Sequence, residues 1–149
     1  MDLRLTGKIA LVTGSTAGIG FAIAKSLAIE GASVYVNGRT QKRVDAAIEA
    51  IRSHPANTRV DGIAADFSGT AGAAAVIAKL PAVDVLVNNV GIFEPKPFTE
   101  IPDEDWYRFE INVMSGLRLA RHYLTGMLKE GVLRACAAII SAEALCHRG

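Results

Sequence analysis

The sequence lacks an excess of either charge. Sixteen Lys and Arg stand against fifteen Asp and Glu, for a net charge of +1 with His neutral. With no basic surplus to neutralise a phosphate backbone, nucleic-acid binding and a polybasic membrane anchor are both disfavoured. Long apolar runs are missing as well. The first, Ile9 to Val12, is too short for the core of a signal peptide. None approaches the ~20 residues that span a bilayer, so a cytoplasmic protein is expected. Cysteine is scarce: Cys136 and Cys146 have no metal-site spacing, so no metal is expected and a reducing compartment suits them. Repeats, low-complexity tracts and linkers are absent too. What is abundant is apolar residue, 50% against 21% charged, which suits one folded domain over 1–149.

Strand and helix patterns alternate along the chain. "KIALVT", Lys8 to Thr13, is a short apolar run fit for a buried strand. Phe21, Ala24, Leu27 and Ala28 then recur at helical spacing, and Gly31 stands where a helix ends. "ASVYVN" is a second strand. Val44, Ala47, Ile48 and Ile51 mark a helix of about three turns. "RVDGIAADF" reads as a third strand, Thr70 to Leu80 as a helix closed by Pro81, and "VDVLVNN" as a fourth strand. The prolines of "GIFEPKPFTEIP" make a loop. A long helix follows, with Trp106, Phe109, Val113, Leu117, Ala120 and Leu124 on one face and Trp106 and Phe109 expected in the core. "CAAIIS" is a candidate fifth strand. Such alternation predicts an α/β fold, a Rossmann-type doubly wound parallel sheet, ending here after about the fifth strand. Ligands of such sheets bind beyond the carboxyl ends of the strands, where each polar cluster of this chain falls.

Gly14, Gly18 and Gly20 lie between the first strand and the first helix. A helix N-terminus offers unpaired N–H donors and a partial positive charge, which suits a pyrophosphate. Glycines let ligand and strand approach, and Ser15 and Thr16 can add hydroxyl hydrogen bonds. No Gly-Lys-Ser/Thr follows, so this is not the phosphate loop of a nucleoside triphosphatase. About 20 residues on, where a dinucleotide fold reads the ribose 2′ position, stand Asn37, Gly38, Arg39 and Thr40. There is no carboxylate, and the planar fork of Arg39 can pair with a 2′-phosphate. NADP(H) is favoured, with NAD the alternative.

These residues resemble the short-chain dehydrogenase/reductase family. "TGSTAGIG", Thr13 to Gly20, is similar to its Thr-Gly-x-x-x-Gly-x-Gly motif, and "NNVG", Asn88 to Gly91, to its Asn-Asn-Ala-Gly. Asp66 matches the adenine-contacting aspartate and Asn112 the asparagine of the long fourth helix. The resemblance runs from about Leu5 to Tyr123. It implies an NAD(P)-binding Rossmann domain, incomplete relative to the family. Gly14, Ser15, Thr16, Gly18, Ile19 and Gly20 would line the pyrophosphate and ribose. Asp66 and Phe67 would flank adenine, Asn89 and Gly91 would sit near the riboses, and Asn112 would hold the water of a proton relay. The implied reaction is hydride transfer between nicotinamide and a small carbonyl or alcohol.

The family's acid/base pair, Tyr-x-x-x-Lys, is absent. Four residues after Tyr35, Tyr107 and Tyr123 stand Arg39, Ile111 and Met127. Ser141 is the match to the carbonyl-polarising serine, but Ala142 replaces the second serine of the family's usual pair. The stretch from Lys129 to Gly149 fits the family less well than what precedes it, as if drifted, truncated or frame-altered. Three readings follow: a short-chain oxidoreductase represented by its cofactor-binding half and inactive alone; a non-catalytic dinucleotide-binding module or partner subunit; or a remnant. A homo-oligomer hiding exposed apolar surface is a further expectation.

Overall fold

A computed structural model describes residues 4–54, 59–92, 95–129 and the backbone of 134–138. Five strands, β1 (Ile9–Val12), β2 (Ser33–Gly38), β3 (Val60–Ala64), β4 (Val85–Asn88) and β5 (Arg134–Ala138), alternate with four α-helices. The helices are α1 (Gly18–Ile29), α2 (Gln41–Arg52), α3 (Thr70–Lys79) and α4 (Asp103–Lys129). The sheet has the order β3-β2-β1-β4-β5 and every pairing is parallel. The expected doubly wound α/β sheet is what forms. Its fifth strand starts at Arg134, two residues before the expected run, and residues 139–141 of that run lie outside the described residues.

The period of two along each strand divides the core. Ala10, Val12, Val34, Val36, Val85 and Val87 point to one face, where Ala24 and Ala28 of α1 and Val44, Ala47 and Ile51 of α2 cover them. Leu11 and Leu86 point to the other, against Ala73 and Val76 of α3 and Leu119, Tyr123 and Met127 of α4. Burial on both faces explains why these strands read as unbroken apolar runs. At about 1.5–3 kcal/mol for each large side chain taken fully out of water, Leu11, Leu86, Leu119 and Ile51 are main anchors. Gly31 has φ +90° directly after α1, the left-handed turn expected of it.

The long helix corrects the sequence reading. Trp106, Val113, Leu117 and Leu124 are exposed rather than core, Trp106 at 49% and Val113 at 66%. Of that face only Ala120 packs on the core; the Phe109 side chain lies outside the described residues. The helix carries two apolar stripes, and the sheet takes the one built from Leu119, Tyr123 and Met127. β3 is also shorter than its apolar run, because Ala65 to Phe67 leave the ladder to begin a loop.

β3 is an edge strand, yet two of its outward carbonyls are occupied. The Arg59 carbonyl turns inward to Val34 N–H, so by alternation those of Val60 and Gly62 face out. Arg52 of α2 donates to Val60 O at 2.6 Å and Lys79 of α3 to Gly62 O at 2.7 Å. No helix among the described residues is long and apolar enough to cross a membrane.

Candidate functional site

The polar residues at the strand ends meet at one edge through hydrogen bonds. Thr13, immediately after β1, is buried. Its hydroxyl donates to Val87 O at 3.3 Å and accepts from Asn89 N–H at 2.9 Å and Val90 N–H at 3.1 Å. Asn89 Nδ2 in turn donates to Gly14 O at 3.0 Å. The glycine turn is thereby fastened to the end of β4. Gly14 and Gly18 hold φ of +60° and +57°, the left-handed region that side chains disfavour. A Cβ on Gly20 would lie 2.5 Å from Gly14 O, so the third glycine lets α1 start tight against the turn. No side chain caps α1 at Ala17, and its first turn has no acidic residue. The N–H donors of that turn face the edge without a protein anion to offset them.

The second strand adds Asn37, almost fully buried at 1% exposure. Its Oδ1 accepts from Gly14 N–H at 3.2 Å, and its Nδ2 donates to Ile63 O at 2.9 Å and Ala65 O at 3.3 Å. Past it, Gly38 ends β2, and a Cβ there would strike Thr16. Arg39 follows, exposed, at the start of α2. That helix also lacks a side-chain cap and an acidic first turn; it carries Lys42 and Arg43 there instead, against the preference of the helix dipole.

The expected site residues do not all face the edge. Thr16, Gly18, Ile19, Arg39, Asp66, Asn89 and Gly91 have accessible surface there. Ser15 does not. It is fully buried, its hydroxyl donates to Val12 O at 2.6 Å, and it accepts from Asn37 N–H at 2.9 Å. Its side chain shapes the turn and has no free hydroxyl for a ligand. Phe67 is also turned inward, into the core beside α3, because its apolar ring gains more there than at a wet edge; only its backbone remains near Asp66. Asp66 is exposed and accepts from Ser68 N–H at 2.9 Å, which closes a local turn.

Asn112 lies on α4 under the loop that leaves β4. Its Oδ1 accepts from Ile92 N–H at 2.6 Å and its Nδ2 donates to Ile92 O at 2.9 Å. The carboxamide thus clamps the loop with one of its two donors and one of its two acceptor positions. Farther along, Asp105 anchors the loop through Lys96 at 2.5 Å and Arg108 at 3.2 Å. The hydrogen bond from Lys96, with the charges of both cations, holds its carboxyl below the ordinary carboxylate range. Ser141 lies outside the described residues. Of the three tyrosines, Tyr35 packs within the sheet, Tyr107 is exposed near the start of α4, and Tyr123 donates to Leu80 O at 2.6 Å, just before β4. No group of acids, histidines and cysteines able to hold a metal occurs among the described residues.

Sequence reasoning gave no role to Thr13 or Asn37. A buried polar residue at or just past the end of an apolar strand was the available signal, since it needs partners to be tolerated there.

Comparison with known proteins agrees with this architecture. The family model described as short chain dehydrogenase matches residues 8–141, farther along the chain than the motifs alone reach. The uncharacterized oxidoreductase YvaG of Bacillus subtilis (strain 168) is 46% identical over 153 aligned residues, covering 99% of this chain and 58% of that protein. YvrD, an uncharacterized oxidoreductase of the same organism, is 51% identical over 132 residues, covering 86% of this chain and 49% of its own. The L-sorbose reductase of Gluconobacter frateurii, solved with NADPH and L-sorbose, matches with a TM-score of 0.79 at 35% identity, over 88% of this chain and 51% of that one. The chain spans about half the length of the curated relatives it matches. Motif order, parallel sheet and these matches lead to one conclusion: the chain belongs to the short-chain dehydrogenase/reductase family.

Proposed function

We propose that this chain carries the NADP(H)-binding part of a short-chain oxidoreductase acting on a small carbonyl or alcohol. The observation that carries the reading is the turn of Gly14 to Gly20, pinned to β4 and opening onto the uncapped N-terminus of α1. A pyrophosphate supplies the negative charge that such a terminus lacks. Thr16, Gly18, Ile19 and Gly20 would hold it, Asn89 and Gly91 would face the riboses, and Asp66 the adenine. Arg39, with the basic first turn of α2 behind it, would take a 2′-phosphate. No carboxylate stands from Asn37 to Thr40 to bind a 2′-hydroxyl instead, which favours NADP over NAD. The relative solved with NADPH supports the same choice.

The chemistry supplied by the bound cofactor is hydride transfer to or from a carbonyl carbon. A proton must accompany it, and the 149 residues contain no Tyr-x-x-x-Lys to carry one. Asn112 would serve by holding the β4 loop, and Ser141 would orient a carbonyl. We therefore expect the chain to bind cofactor without turnover by itself. That behaviour also fits a dinucleotide-binding module or partner subunit, a reading favoured by the lack of a lysine four residues after any of the three tyrosines. The exposed stripe Trp106, Val113, Leu117, Leu124 and Leu128 suits association with another copy. The setting is taken to be the cytoplasm, where Cys136 and Cys146 stay reduced.

Thermal unfolding with added dinucleotide tests the proposal. NADPH at a hundredfold excess over Kd should stabilise the chain by about 2.7 kcal/mol. NADH should do less at equal concentration. Arg39→Ala should cost NADPH roughly tenfold or more in affinity, as loss of a charge-assisted hydrogen bond does, and leave NADH nearly unaffected. No shift with either dinucleotide would sink the reading; turnover of a ketone would refute the expectation of inactivity alone.

A further inference from the structure

Asn37 stands between two parts of the edge that neighbour each other only in space. On one side is the glycine turn after β1; on the other is the end of β3, which runs into Asp66. The carboxamide joins them by three hydrogen bonds, accepting from Gly14 N–H and donating to Ile63 O and Ala65 O. Its main chain completes the joint, with N–H donating to Ser15 Oγ and C=O accepting from Ser15 N–H at 2.9 Å. One acceptor must face a backbone N–H while both donors face carbonyls, and only a carboxamide provides that combination. Aspartate is nearly the same shape, but would set a charge against two carbonyl oxygens. Serine is too short to span the gap. At 1% exposure the side chain is sealed from solvent, so the bonds lie in a low dielectric, where each geometry is held firmly.

The far side of the Asp66 loop is equally fixed. Gly72 on α3 lies directly beneath it, and a Cβ at this position would overlap the backbone carbonyl oxygen of Asp66. The loop is therefore held between Asn37 on one side and α3 on the other.

We infer that Asn37 is a positioning residue that sets the phosphate turn and the adenine loop in mutual register. The inference rests on the proposed dinucleotide site and adds to it how its two halves are coupled. Asn37 does not touch the cofactor. It fixes the distance between the groups that do, so that both ends of one rigid ligand are met at once. A ligand that fills only the adenine half needs no such register.

The full chain tests this with two probes, NADPH and adenosine 2′-monophosphate, which has no 5′-phosphate to reach the glycine turn, and with the amide resonance of Gly14. In Asn37→Ala and Asn37→Asp, NADPH should lose about tenfold or more, within the range of coupling between contacting residues. The monophosphate should stay within about threefold in both variants, and for NADPH Asp should be no better than Ala. Equal losses for both probes would mean that Asn37 only supports folding, and would overturn the inference. Should these variants fail to fold, Gly72→Ala decides. It displaces Asp66 from the α3 side, and the Gly14 amide should shift through Asn37, without ligand and far from the substitution. An unmoved Gly14 amide overturns the coupling. Should the unaltered chain bind neither probe, the proposed function fails, while the ligand-free Gly14 measurement still answers for the register.

Discussion

The Thr13 hydroxyl holds two N–H groups and a carbonyl at the end of β4. Thr13→Val keeps the shape and removes all three bonds. With two N–H groups left in a part-buried site, the expected loss is about 2–4 kcal/mol; Thr13→Ser should recover most of it. Denaturant unfolding of both variants measures this, and a valine variant as stable as the original would show that water replaces the hydroxyl. Tyr123 makes a prediction in pH. Burial pushes its phenol up to about 12, whereas an unfolded tyrosine titrates near ~10. Below the lower value both states keep the proton and nothing changes. Above it the unfolded chain ionises first, so stability falls as pH rises from about 10 through about 12. Tyr123→Phe should lose about 1 kcal/mol at neutral pH, since Leu80 O loses its donor, and should be flatter in the alkaline range. Unfolding curves at both ends of that range compare the two, and parallel alkaline losses would refute it. At this scale the sequence was legible where a residue type has few uses: Gly14 and Gly18 announce their turn. Ser15 and Phe67 misled, because motif position says nothing about which way a side chain turns.

Among the elements, β3 combines exposure with protection. An edge strand with free carbonyls is a template for another strand, and here the side chains of Arg52 and Lys79 occupy those carbonyls from the two flanking helices. Arg52→Met with Lys79→Met should leave the fold in place and raise self-association, seen as concentration-dependent light scattering with increased thioflavin fluorescence. A doubly substituted chain that scatters like the original would show that strand length and twist alone guard the edge. Helices and strands were legible from their periods, since strands buried on both faces give dense apolar runs and α2 has a clear three-to-four spacing. The orientation of α4 was not. Its exposed stripe, Val113, Leu117 and Leu124, has the same helical spacing as its buried one, Leu119, Tyr123 and Met127. Periodicity gives the angle between stripes, and only the position of the sheet decides between them.

For the molecule as a whole, that exposed stripe is a clear departure from an ordinary surface among the described residues. Trp106, Val113, Leu117, Leu124 and Leu128 lie along one helix, an apolar area of the kind that marks association. The chain should sediment as a dimer or larger species at micromolar concentration, and Leu117→Asp should shift it toward monomer without lowering its melting temperature. A monodisperse monomer before substitution would refute this. That the sheet is parallel and doubly wound was legible from alternation and the right-handed crossover, which leave few arrangements open. What joins the strand ends into a site was not, because those bonds span 22 to 77 residues and no local pattern encodes them.

The long reach of Thr13 has a consequence for how the protein is made. Its partners at Asn89 and Val90 are 76 and 77 residues downstream, and β1 is the first strand yet pairs with both the second and the fourth. During synthesis, chains grow from the N-terminus at about 5–20 residues per second. The glycine turn is thus translated well before the residues that give it its working shape. For several seconds the nascent chain carries the signature of a binding site without the geometry of one.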